Sequence, residues 1–285
     1  WDTHGLPVEI EVEKALKISG KKEVEAYGVE AFNKKCFESV WTYKNLWEDL
    51  TDRMGYWVDL EHPYVTCDNN YIESVWWILK QFFDKGLIYK RFKVVPYCPR
   101  CGTPLSSHEV AQGYQDVSDP SVYVKMKLKD QDNTFFLVWT TAPWTLISNV
   151  ALAVGGDIDY VKAKYKDQFL ILAEARLKDV LKEDYEIVEK FKGEKLLGRE
   201  YERLFEYVPV DKKAFFVIAG DFVTTEDGTG IVHTAPAFGE DDYVVCKSND
   251  LPFLRPVDAA GKFEDIVTDF KGQFVKDADP EIITN

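Results

Sequence analysis

The sequence predicts an α+β fold, in which a helical N-terminal third leads through a short connector into a barrel-like domain of mixed β-strands. Three observations carry this prediction. Apolar and aromatic residues recur at helical spacing between positions 30 and 86. Beyond Asp119-Pro120 the period changes to two. From 134 to 234, short apolar runs follow one another with few helical stretches between them, the pattern of a β-rich α+β domain. At 285 residues and 46% apolar content, the chain can bury one or two cores.

The first strong helix covers about 30–53, with Phe32, Cys36, Val40, Tyr43 and Leu46 or Trp47 on one side. A second follows Asp68, a natural N-cap, and carries Tyr71, Ile72, Val75, Ile78, Leu79, Phe82 and Phe83 before Gly86 stops it. Stripes of this kind are expected to be core. Then come Cys98-Pro99-Arg100-Cys101 in a connector and a half-buried strand, in which Val122, Val124, Met126 and Leu128 alternate with Tyr123 and three lysines. Further strands are expected at 134–139, 150–154, 159–165, 168–173, 214–219 and 230–234, with one helix near 174–181. The resulting division is 1–90 helical, 91–117 connector, 118–277 β domain and 278–285 exit linker.

The net charge of −14 argues against a general grip on nucleic acid through phosphate neutralisation, so any such partner needs a local patch such as Lys90, Arg91 and Lys93. No apolar run reaches the roughly 18 residues of a membrane span, so no membrane partner is expected. The start, Trp1-Asp2-Thr3-His4-Gly5, has neither an initiator Met nor a signal-peptide pattern, and the chain is expected to be cut from a longer one. Five scattered cysteines suit a reducing cytoplasm better than a disulfide framework. Cys98 and Cys101 supply half of a tetrahedral zinc site, with the alternative of a reduced and inert pair; His108 is the nearest further donor in sequence.

Two segments concentrate chemistry. Gly228-Thr229-Gly230-Ile231-Val232-His233-Thr234-Ala235-Pro236-Ala237-Phe238-Gly239-Glu240-Asp241-Asp242 reads as strand, turn and solvated loop, offering backbone N–H groups, an imidazole and carboxylates to a small polar ligand. Ninety residues upstream, Trp139-Thr140-Thr141-Ala142-Pro143-Trp144-Thr145-Leu146-Ile147-Ser148-Asn149 ends an apolar strand in a hydroxyl-rich stretch. Together the two resemble the editing domain of isoleucyl-tRNA synthetases. The opening Asp2-Thr3-His4-Gly5-Leu6-Pro7-Val8-Glu9 and Val95-Pro96-Tyr97-Cys98-Pro99-Arg100-Cys101 fit the same class I family in the same order. Neither the His-Ile-Gly-His-type signature nor the Lys-Met-Ser-Lys-Ser-type loop occurs in this sequence.

The resemblance implies an internal piece of an isoleucine–tRNA ligase: a helical remnant of its Rossmann domain and the start of its insertion, a zinc-knuckle-like connector, and the editing domain. It implies hydrolysis of misacylated Val-tRNA(Ile) rather than aminoacylation, in the cytoplasm, by a monomer that meets the tRNA(Ile) acceptor end and a valine ester. Editing of this kind takes no cofactor; ATP and Mg belong to the full-length enzyme, and zinc at Cys98 and Cys101 requires ligands from outside this chain. Asp242 matches the carboxylate that holds the substrate ammonium, His233 a pocket histidine, Thr140 and Thr141 the threonine segment that holds the water and terminal adenosine, and Asn149 a pocket asparagine. Asp2 matches an ammonium-binding residue of the synthetic site. Ala142 stands where a third threonine is usual, which leaves the water-holding arrangement open. The alternatives are a non-catalytic tRNA-positioning or zinc-knuckle module, and a valyl-tRNA synthetase editing domain acting on Thr-tRNA(Val).

Overall fold

A computed structural model describes residues 1–284 and divides into two compact units, Trp1–Phe92 with Arg100–Gly102, and Lys93–Pro99 with the rest. The first unit is helical: α1 Leu6–Leu16, α2 Lys21–Tyr27, α3 Val29–Val40, α4 Lys44–Arg53 and α5 Asn69–Asp84. One helix was expected over 30–53, and two are found. Val40-Trp41-Thr42-Tyr43 is a run of β-branched and aromatic residues that lose rotamer freedom in a helix. There the ladder tightens, with Thr42 N–H donating to Ser39 O and Lys44 N–H to Trp41 O. Helix α5 ends as predicted: Gly86 adopts φ +70, and Leu87 N–H and Gly86 N–H close back on Phe82 and Phe83 carbonyls.

The expected aromatic core of this unit is corrected by the structure. Helices α1 and α3 pack together, and Val12 and Phe32 are buried. Tyr43, Leu46, Trp47, Ile78, Leu79, Phe82 and Phe83 are exposed, as are Trp76 and Trp77. Periodicity marks the face a helix would bury, but α4 and α5 have no helix packed along that face among the described residues.

The second unit opens with a small hairpin, β1 Tyr97–Cys98 against β2 Thr103–Pro104, and helix α6 Ser107–Gln112. A capping box starts α6: Ser106 N–H donates to Glu109 Oε2 at 2.8 Å, and Glu109 N–H to Ser106 Oγ at 3.3 Å. The strands that follow are β3 Val122–Lys127, β4 Thr134–Thr140, β5 Ala151–Val154, β6 Asp159–Tyr165 and β7 Gln168–Ala173. After a 3₁₀ turn and helix α7 Leu177–Leu181 come β8 Glu186–Lys192, β9 Phe216–Ala219 and β10 Ile231–Thr234, then helices α8 Glu240–Ser248 and α9 Val275–Thr284.

Two sheets result, a five-stranded one of order β3-β4-β7-β6-β8 and a three-stranded one of order β10-β5-β9. Every predicted strand is present. The missed β8 is a charged edge strand whose residues are mostly exposed, so it lacks the apolar signal of a paired core strand. The barrel-like expectation is corrected in part. The sheets join edge to edge through residues 199–202, which bridge Leu128 to Tyr201 and Glu200 to Phe216. On the other side, Ala173 N–H donates to Thr229 O at 2.9 Å, but no ladder closes a barrel among the described residues. Phe136, Leu152, Tyr160, Ile171, Tyr201 and Ile231 fill one core drawn from both sheets.

Two further differences bear on function. The acids of residues 240–242, expected in a solvated loop, form the first turn of α8, where the helix N-terminus favours negative charge. Most of the expected exit linker, 278–284, lies in α9, which buries Ala278, Asp279 and Ile282; Asn285 lies outside the described residues.

Candidate functional site

The turn that launches β10 is built for close approach. Gly228 and Gly230 adopt φ +64 and +72, and a Cβ on Gly230 would lie 2.4 Å from that of Ala173. Arg176 donates to Glu226 O at 3.0 Å and Gly228 O at 3.1 Å, while the buried Tyr160 hydroxyl donates to Gly230 O at 2.6 Å. Burial pushes the Tyr160 phenol up to about 12, so it remains a donor. A rigid turn therefore sets the start of the strand that carries His233.

His233 pairs with Leu152 of β5 and is buried. Its Nε2 lies 3.0 Å from Thr145 Oγ1. Thr145 Oγ1 also lies 2.7 Å from Ala142 O, which can only accept, so the single hydroxyl proton points there. The imidazole then donates from Nε2, and its Nδ1 carries a bare lone pair with no partner among the described residues. Burial lowers the imidazole to about 4, so His233 is neutral at neutral pH.

The hydroxyl segment comes to the same place from the end of β4. Thr140 is buried, and its Oγ1 accepts Ala142 N–H at 3.1 Å. Thr141 is exposed at the bend that follows. A 3₁₀ helix, Pro143–Ser148, then carries Thr145 inward. Ala142 thus links Thr140 to Thr145 and His233 through its backbone N–H and carbonyl, so the missing third hydroxyl breaks no contact in this chain of bonds. Sequence reasoning did not single out Thr145; its position five residues after Thr140 carries no signal until the 3₁₀ turn folds it back.

Asp242, half-buried in the first turn of α8, accepts Ala235 N–H at Oδ2 (3.0 Å). Burial raises its carboxyl to about 6; the Ala235 hydrogen bond pulls it down and Asp241 pushes it up. The ring of Phe238, just ahead of α8, meets Trp144 of the hydroxyl segment edge-on at 4.6 Å. His233 and Asp242 therefore lie at the two ends of one short loop, and Trp144 and Thr145 contact that stretch from the other segment.

Asn149 is buried between the two sheets. Its Nδ2 donates to Ala151 O at 2.9 Å and its Oδ1 accepts the buried Tyr201 hydroxyl at 2.6 Å. Each polar end thus has a partner within the fold, and the side chain ties β5 to the 199–202 bridge. Asp2 belongs to the other unit, where it is exposed and accepts His4 N–H at 3.5 Å. Cys98 and Cys101 are both half-buried. Among the described residues no three His, Cys, Asp or Glu side chains gather as a metal would require, and His108 bonds Gln112 instead. Two thiols are half of a tetrahedral set and do not by themselves fit zinc.

The family model for class I tRNA synthetases (I, L, M and V) matches residues 1–237. The chain is 60% identical over 283 residues to the isoleucine–tRNA ligase of Clostridium acetobutylicum, covering 99% of this chain and 27% of that protein. It is 55% identical over the same span to isoleucine–tRNA ligase 2 of Bacillus thuringiensis subsp. konkukian. It therefore spans about a quarter of the length of the curated relatives it matches. Among solved structures, the P. knowlesi cytosolic leucyl-tRNA synthetase editing domain aligns with TM-score 0.38 at 15% identity, covering 45% of this chain and 62% of that one. A superposition that loose carries no argument about the site. The ordered sequence matches and the family model together place this chain in the class I tRNA synthetases of the isoleucine, leucine, methionine and valine group.

Proposed function

We propose that this chain carries the editing site of an isoleucine–tRNA ligase and hydrolyses Val-tRNA(Ile) to valine and free tRNA. The observation that supports this best is the Thr145–His233 bond at 3.0 Å, which joins the hydroxyl segment to the strand leading to Asp242. A synthetic pocket for isoleucine cannot shut out valine, because one missing methylene is worth only about 1–3 kcal/mol, a limit whose standard illustration is this family. A second, smaller site removes the error.

Ester hydrolysis needs an anchored ammonium, a placed water and stabilisation of a developing oxyanion. Asp242 serves as the anchor: with its carboxyl near 6 it is mostly ionised at neutral pH and offers a charge-assisted hydrogen bond. Neutral His233, buried and held through Nε2 by Thr145, fixes the hydroxyl segment against β10 and so orients the wall that faces the water or a ribose hydroxyl. With a pKa near 4 it stays neutral at neutral pH and stores no proton for the reaction. Thr141, exposed at the bend, is free to touch the terminal nucleotide, while Thr140 shapes the loop below it. Water adds to the ester carbonyl, the C–O bond to the ribose breaks, and the leaving oxygen takes the proton. The tRNA(Ile) acceptor end is the partner this chemistry requires.

Incubating the chain with valyl-tRNA(Ile), isoleucyl-tRNA(Ile) and threonyl-tRNA(Val) tests the proposal. Rapid release of valine alone is expected. Absence of valine release rejects hydrolysis, and preference for the threonyl ester reassigns the domain to valine-enzyme editing.

A further inference from the structure

Gly239 has no conformational reason to be glycine. Its φ of −130 and ψ of 137 lie in extended space open to any residue. What it lacks is room: a Cβ there would lie 2.8 Å from both Cγ and Oδ2 of Asp242 and 3.2 Å from its Cβ. The obstacle is the tip of one short side chain rather than backbone. An added methyl is therefore accommodated by swinging the Asp242 carboxyl away, at the expense of the Ala235 N–H bond that fixes it. The rest of the helix start is indifferent to the change, since Gly239 contributes its carbonyl, which accepts Tyr243 N–H at 2.9 Å.

We propose that Gly239 is a positioning residue that selects the rotamer in which Asp242 meets the substrate ammonium, acting through Asp242 and touching no substrate itself. This deepens the editing assignment above and rests on it. It separates two roles that coincide at Asp242: an acid at a helix N-terminus, for which any nearby rotamer suffices, and an anchor, for which the direction of the carboxylate is everything.

The test is Gly239→Ala, measured three ways alongside Asp242→Ala and the double variant. The substitution should leave the chain cooperatively folded, with Tm lowered by no more than the loss of the Ala235 N–H bond, because a methyl in extended backbone otherwise restricts only the unfolded chain. It should lower kcat/KM for the valyl ester at least tenfold, and shift the carbonyl-carbon NMR titration of Asp242 down from about 6 as the carboxyl swings toward water. In the Asp242→Ala background, where no carboxyl remains to be displaced, the same methyl should leave the residual activity unchanged and should raise Tm relative to Asp242→Ala alone. Unchanged kcat/KM in Gly239→Ala overturns the assignment, as does lost activity with an unmoved Asp242 titration. If Gly239→Ala unfolds in both backgrounds, the glycine serves the backbone and the proposal is also wrong. A wild-type chain that releases no valine defeats the editing reading, whereas the NMR titration still decides whether Gly239 sets the Asp242 rotamer.

Discussion

Asp279 of α9 accepts the backbone N–H of Trp144 at 2.8 Å, reaching across 135 positions of sequence to hold the first free donor of the 3₁₀ helix. Pro143, just before it, has no N–H to offer. Asp279 is only 1% exposed, and its second oxygen has no partner among the described residues. Removing the acceptor strands a buried donor, whereas an amide keeps the carbonyl and sheds the buried charge. We expect Asp279→Ala to lose about 1–3 kcal/mol in urea unfolding and Asp279→Asn to stay near wild type. Equal losses in both variants would show that the charge, not the bond to Trp144, is what matters.

Asp242 should govern the pH dependence of ester hydrolysis. As its carboxyl ionises near 6, kcat/KM for the valyl ester should rise through pH 6 and level off above pH 7. Asp242→Asn should lower the plateau about 10- to 100-fold, the equivalent of about 1.5–3 kcal/mol for a charged hydrogen bond. The rise should vanish with it. A rate profile that keeps its inflection in the variant assigns the titration to another group.

Stability should respond to His233 and Asp242 with opposite signs. The imidazole falls from 6.5 to about 4 on folding, so its contribution is complete above pH 6.5 and is lost as pH drops toward 4. That loss is on the order of 3 kcal/mol at the acid end. The Asp242 carboxyl rises from 3.8 to about 6, so its contribution is complete below 3.8 and is lost as pH rises through 6. Urea unfolding between pH 4 and 7 should therefore show a shallower acid-side loss in His233→Gln and a steeper one in Asp242→Asn. Parallel curves for all three proteins would contradict the burial-driven shifts.

Asn149 and Tyr201 should behave as one structural unit. Tyr201→Phe strands Asn149 Oδ1 in the core, and Asn149→Ala strands the Tyr201 hydroxyl, so each should cost about 1–3 kcal/mol. The double variant should fall well short of the sum, because both substitutions remove the same bond. Valyl-ester kcat at a temperature well below Tm should survive in Tyr201→Phe. A selective loss of kcat there, with stability intact, would return Asn149 to the catalytic pocket.

Before any folding is considered, residue order marked every strand between 122 and 234 except the charged edge strand β8, because alternation and apolar, β-branched content are local properties of the chain. It also marked Thr140, His233 and Asp242 as chemistry-bearing through the family's ordered segments. Only the tertiary structure could decide what those residues touch, because burial and hydrogen-bond partners depend on segments far apart in sequence. It joined Thr145 to His233 across 88 positions, gave Asn149 to Tyr201, and turned the expected exit linker into the helix that holds Trp144. It also left the aromatic faces of α4 and α5 exposed, since periodicity names a face to be covered without supplying the cover.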